Sequence, residues 1–88
     1  MIKLTAIAAQ PDAALDLTFN DGSHGSWSAA ALIARDTVLT RPLADPAYFA
    51  RAFIEAGALA WPNGLELSPW ALQAHLAEAG LLNRAKAA

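Results

Sequence analysis

Ala58-Leu59-Ala60-Trp61-Pro62-Asn63-Gly64-Leu65-Glu66-Leu67-Ser68-Pro69-Trp70 decides how this chain folds. Ala58 to Trp61 reads as a strand. Pro62 removes a backbone donor and fixes its own φ, so the strand stops there. Asn63-Gly64 accepts the positive φ of a tight turn. Ser68 suits a helix N-cap, where its hydroxyl accepts from a free first-turn N–H. Pro69 suits the first helical position, where the missing N–H costs nothing. Two tryptophans therefore bracket one short strand–turn–helix unit. Trp61 reads as core, since large aromatics supply much of a small domain's burial. Trp70 reads as either a lid or a binding-surface residue.

Upstream, Ile2, Leu4 and Ala6 alternate with Lys3 and Thr5, the pattern of a strand. Gln10-Pro11-Asp12 breaks it. Leu15, Leu17 and Phe19 alternate with Asp16 and Thr18 in a second strand. Asn20-Asp21-Gly22 is a hairpin signal. His24 to Trp27 forms a third strand, weakened by Gly25 in its interior. Ser28 caps a short helix over 29–34. Thr37 to Leu43 reads as extended, because Arg41 precedes Pro42. Asp45-Pro46 opens another short helix reaching about Ala52. Phe53-Ile54-Glu55 and Ala58 to Trp61 form a second hairpin about Ala56-Gly57, expected to extend the first sheet. The last helix is expected from Pro69 to about Ala79, with Gly80 as its C′ residue.

That helix has two apolar faces. At about 100° per residue, Leu72, Leu76 and Ala79 share one. Trp70, Ala74, Ala77 and, if the turn continues, Leu81 share the other. A surface helix normally carries one apolar stripe. The second stripe is therefore assigned to partner binding, by a second copy or another small protein. The alternative is that Leu81-Leu82 folds back over it. Residues 1–80 read as one domain, and 81–88 as a partly disordered tail, frayed from Asn83.

The expected architecture is α+β: an antiparallel sheet of about five strands, two short middle helices, and a longer C-terminal helix packed on the sheet. A chain of 88 residues is one domain and buries only about 60–65% of its unfolded surface. A partner or oligomer would add burial. There is no cysteine, so disulfides and thiolate metal sites are excluded. Net charge is −2 with six scattered basic residues, so no basic stripe for phosphates exists and direct nucleic-acid binding is not expected. No apolar run reaches a membrane span, and the N-terminus lacks a signal-peptide core. A cytoplasmic protein is the expectation, with no cofactor and no metal.

Leu17-Thr18-Phe19-Asn20-Asp21-Gly22-Ser23, then Pro42-Leu43-Ala44-Asp45-Pro46 with Phe49, then Trp61-Pro62-Asn63-Gly64 with Leu67 and Pro69, occur in an order and spacing that resembles the small bacterial family called domain of unknown function 2442. The resemblance covers roughly residues 2–75. Family members tend to carry an acidic residue after the Trp-Pro-Asn-Gly turn, more usually Asp; here Glu66 stands near that place. The resemblance implies a compact α+β domain with an antiparallel sheet and carries no catalytic set. Some relatives resemble regulatory proteins, joined to a helix-turn-helix or encoded beside a small toxin-like partner. For this chain that implies action through protein contact, in the manner of an antitoxin.

Chemistry-bearing residues are few. His75 and Glu78 are three apart on a helix and so neighbours; with His24 and Asp21 they form the one candidate ligand, metal or minimal-enzyme site. Metal binding needs three or four ligands, and no third is evident. Asp16, Asp21 and His24, with Ser23 or Ser26, could form an acid–base set on paper. Turn serines and aspartates more often serve the backbone. Asp45 and Glu66 are explained by placement at helix starts. No phosphate loop, HExxH or GxSxG occurs. The readings carried forward are a non-enzymatic interaction module and, second, a small ligand-binding protein.

Overall fold

A computed structural model describes residues 1–84. Six strands form two three-stranded antiparallel sheets, with a single hydrophobic core between them and the helices. The order is β1 (Leu4–Gln10), β2 (Ala14–Phe19), β3 (His24–Ser28), α1 (Ala30–Ala34), a 3-10 turn (Arg41–Ala44), α2 (Pro46–Phe49), β4 (Phe53–Glu55), β5 (Ala58–Ala60), β6 (Glu66–Leu67) and α3 (Pro69–Glu78). The α+β class, the two short middle helices and the longer last helix stand. The single sheet of about five strands does not.

The first sheet is a meander, β1-β2-β3. The alternation in β2 sends Leu15, Leu17 and Phe19 inward, each essentially inaccessible. Leu15 lies opposite Trp27 and Leu17 opposite Gly25, so β3 turns the same face to the core. The second sheet is β4-β5-β6. It meets the first end-on rather than continuing its ladder. Leu4 N–H donates to Gly57 C=O in the β4–β5 turn at 2.8 Å, and next to it the β1 register shifts between Leu4 and Ala6. Such a bulge bends and twists a strand, and β4 forms no ladder with β1.

Glu66-Leu67 adds a strand that the sequence reading does not include: it returns along β5, opposite Ala60 and Leu59. Glu66 is thus a strand residue, not a helix-start carboxylate. The Trp61–Gly64 turn makes this return possible. Gly64 has φ +94°. Asn63 Oδ1 accepts from Leu65 N–H at 3.1 Å, and Asn63 Nδ2 donates to Leu39 C=O at 3.1 Å. Trp61 is 1% exposed, and its Nε1–H donates to Phe49 C=O at 3.0 Å. One turn therefore ties together β5, β6, α2 and the loop before it.

Thr37 to Leu43 is not extended. Thr37 and Thr40 each accept the other's backbone N–H at 3.1 Å, closing the chain locally ahead of the 3-10 turn. Asp45 caps α2 by accepting from Ala47 N–H at 3.1 Å, but α2 ends at Phe49 rather than near Ala52.

Candidate functional site

Of the exposed large apolar residues, which include Val38, Leu39 and Phe53, Trp70 and Leu81 lie on α3 and just after it. Ser68 Oγ accepts from Ala71 N–H at 3.4 Å, with Pro69 in the first turn. Leu72 and Leu76 face the core, 5% and 0% exposed. Trp70, on the outer side, is 69% exposed. Ala77 is exposed with it, and Ala74 is half-buried. The helix stops at Glu78, so Ala79, expected beside Leu72 and Leu76, is exposed instead.

The end of α3 determines where the tail goes. Gly80 takes φ +73°. Its N–H donates to Ala77 C=O at 3.2 Å, and Leu81 N–H donates to Leu76 C=O at 2.9 Å. This is a Schellman stop, which satisfies two otherwise free carbonyls. The chain then runs along β3: His24 and Asn83 exchange both backbone hydrogen bonds, at 2.8 and 2.7 Å. Leu82 packs on the core. Leu81 remains 51% exposed. The tail therefore does not fold back over Trp70, and Asn83, expected to fray, is paired. Residues 85–88 lie outside the described residues.

A groove of about 400 Å³ runs along the other flank of α3, between it and α1. Trp27, Leu32, Leu67 and Leu72 line it, and Arg35 and His75 are its two charged or titratable lining residues. Its lining contains no acidic residue. The groove is apolar with the Arg35 guanidinium in its lining, a chemistry that accepts an apolar group next to a carboxylate. The sequence reading does not place Arg35, Leu32 and Ser28 in a groove, because α1 offers only five residues and no clear stripe.

The residues read as a possible ligand site are dispersed. His24 shares the outer face of the meander with Ser26 and Asp16, since Gly25 and Trp27 point inward. His75 is on α3, which packs on the inner side against Gly25 and Trp27. The two histidines thus lie on opposite faces of one sheet. Glu78 is exposed on α3. Among the described residues no three His, Asp or Glu side chains cluster as a metal site would require.

Asp21 is engaged elsewhere. Its Oδ1 accepts from both the hydroxyl and the N–H of Ser23, closing the hairpin. Its Oδ2 accepts from Gln73 Nε2 at 3.0 Å, and Gln73 also donates to Ser23 Oγ at 2.9 Å. Arg84 stands 3.9 Å away. The Ser23 hydroxyl foremost, then Ser23 N–H, hold the Asp21 carboxyl below its ordinary range; partial burial opposes them, and Gln73 and Arg84 add to them. Ser23 is 1% exposed. Asp21 and Ser23 thus latch the first hairpin to α3 rather than presenting a nucleophile. The Gln73 partner was missed because the contact spans 52 residues.

The fold is that of a small α+β domain. The chain belongs to the family described as Protein of unknown function (DUF2442), whose profile matches residues 4–87. No curated protein and no solved structure matches the chain. Among the described residues no helix is long and apolar enough to cross a membrane.

Proposed function

We propose that this chain is a non-enzymatic protein-interaction module that binds a small partner protein through the outer side of α3. The observation that carries this reading is Trp70, 69% exposed on a helix whose opposite face is fully committed to the core. A largely solvated indole at a helix start adds little to the fold; at an interface tryptophan is among the residue types that most often anchor binding. Ala74 and Ala77 beside it allow close approach, and Leu81 extends the apolar strip. Arg35 and His75 rim the adjoining groove, so the partner surface that fits is apolar with an acidic residue at its margin. A regulatory role of the antitoxin type, in which a small protein is held inactive by contact, is consistent with this surface. The dispersal of His24, His75, Asp21 and Glu78 removes support for a shared ligand or catalytic site.

The test is the double variant Trp70→Glu, Ala74→Glu in the whole chain. Solution mass by light scattering and affinity co-purification from the native host are compared with wild type. The variant is expected to lose the bound partner while the near-ultraviolet circular dichroism of its buried tryptophans, Trp27 and Trp61, is retained. Partner retention by a folded variant overturns the assignment of this face.

A further inference from the structure

We propose that the groove between α1 and α3 binds a small molecule with an apolar body and one carboxylate. The site is separate from the outer side of α3 that carries Trp70 and does not depend on the partner reading of that side.

The two walls of the groove repeat one pattern. Ser28, Ala31, Leu32 and Arg35 line it from α1 and its flanks. Ser68, Ala71, Leu72 and His75 line it from α3 and its cap. Both sets fall at i, i+3, i+4 and i+7, the spacing of one helix face. Each wall thus carries a hydroxyl, then a small and a large apolar residue, then a basic side chain. Leu32 and Leu72, with Trp27, supply the apolar surface, and the alanines leave room beside it. The enclosed volume, about 400 Å³, lies in the range of small-molecule sites, roughly 300–1,000 Å³.

The polar groups of this lining are donors that lack an acceptor. Trp27 is 6% exposed, and its ring N–H has no protein acceptor among the described residues, although the nitrogen is not sealed in the core. Buried tryptophans usually pair this N–H, as Trp61 does with Phe49 C=O. Trp27 lines the groove, so its free N–H is offered to whatever sits there. Ser28 Oγ accepts from Ala30 N–H at 3.2 Å, and Ser68 Oγ from Ala71 N–H at 3.4 Å. Both hydroxyl protons are left to donate. Asp36, next to Arg35 in the chain, is taken by Arg41 at 2.8 Å, and Arg35 has no ion pair among the described residues. No acidic residue lines the groove. An anion is therefore the complement. A carboxylate fits best: its single charge matches one guanidinium, its two oxygens accept from that planar fork, and its alkyl or aryl body covers the Leu32–Leu72 surface.

The experiment titrates the isotope-labelled whole chain with octanoate and with phenylacetate, followed by two-dimensional NMR. Either acid is expected to bind saturably, moving the Trp27 ring N–H downfield together with the Ala31 and Ala71 amides. Octanamide and octylamine, which lack the negative charge, are expected to bind about tenfold more weakly or worse. Arg35→Gln changes an exposed side chain. It is expected to weaken octanoate about tenfold or more, as loss of a hydrogen bond to a charged group does, and to leave octanamide unchanged. Trp70→Glu, Ala74→Glu is expected to bind octanoate as wild type does, so this site and the partner face fail or stand separately. The proposal is overturned if neither acid gives a saturable shift at the groove, if the uncharged amide binds as well as the acid, or if Arg35→Gln binds octanoate like wild type. A peptide with an acidic residue beside an apolar one that binds where both free acids fail would assign the groove to protein contact instead.

Discussion

Gly25→Ala is expected to destabilise the protein, although β-strand propensity alone predicts a gain. Alanine in place of glycine in a strand interior is worth roughly 0.5–1 kcal/mol in its favour. Gly25 is not one of the glycines at positive φ, so its backbone would accept any residue. The obstacle is space. A Cβ at position 25 would sit 2.6 Å from the Leu81 carbonyl oxygen and 3.3 Å from Leu76 Cδ1. Normal carbon–oxygen contact begins near ~3.3 Å, so one side must retreat by about 0.7 Å. The molecule has two routes. It can keep the tail in place and strain the α3–β3 packing, which costs about 1–3 kcal/mol for an added methyl in a filled site. Or it can release the tail after Gly80. That forfeits the paired His24–Asn83 bonds, about 1–3 kcal/mol for two, and part of the burial of Leu82, against some regained backbone entropy. Both routes converge on a loss of about 2 kcal/mol, which for a domain of this size lowers Tm by roughly 8–16 °C. Thermal and urea melts followed by circular dichroism measure it. Hydrogen exchange at the His24 and Asn83 amides separates the routes, since only tail release exposes them. A Gly25→Ala protein with unchanged or raised Tm refutes the close-approach explanation.

Asp21→Asn tests the hairpin latch through pH. Because the folded protein holds this carboxyl below its ordinary pKa, its stabilisation is complete above the ordinary carboxylate range and is lost as pH falls through the lower folded value. Wild type is expected to lose more stability than Asp21→Asn between roughly pH 5 and pH 2, read from melting temperatures across that range; parallel curves would contradict the latch. Ala56 sits at φ +51° in the β4–β5 turn, followed by Gly57 at φ +86°. Ala56→Asn relieves a left-handed alanine and is expected to stabilise by up to about 1 kcal/mol, seen as a raised urea midpoint with unchanged slope.

Most of the local structure was legible because it is written in short-range chemistry. The Asp45 and Ser68 caps, the Asp21-Gly22 and Ala56-Gly57 turns, the Gly80 stop and the alternation of β2 each depend on residues a few positions apart. The division into two sheets depends on a bulge and on one bond from Leu4 to Gly57, and neither leaves a pattern in the sequence. The Thr37–Thr40 pair overrode the extended preference before Pro42 because reciprocal side-chain bonds close a turn that backbone preference alone would not. Gly25 was the sharpest misreading of cause. It looked like a weak point in β3, whereas it is the gap through which the end of α3 reaches the sheet. On the candidate surface, the Trp70 stripe was legible from helical periodicity alone, which requires only that a helix form. The Arg35–His75 groove was not, because its walls come from elements about forty residues apart.

The exposed residues also differ in what sustains them. Arg41 and Asp36 are exposed, yet they brace each other at 2.8 Å. Asn63 is exposed but holds Leu39 and Leu65. Trp70 makes no such brace among the described residues, so replacing the indole would cost the monomer little.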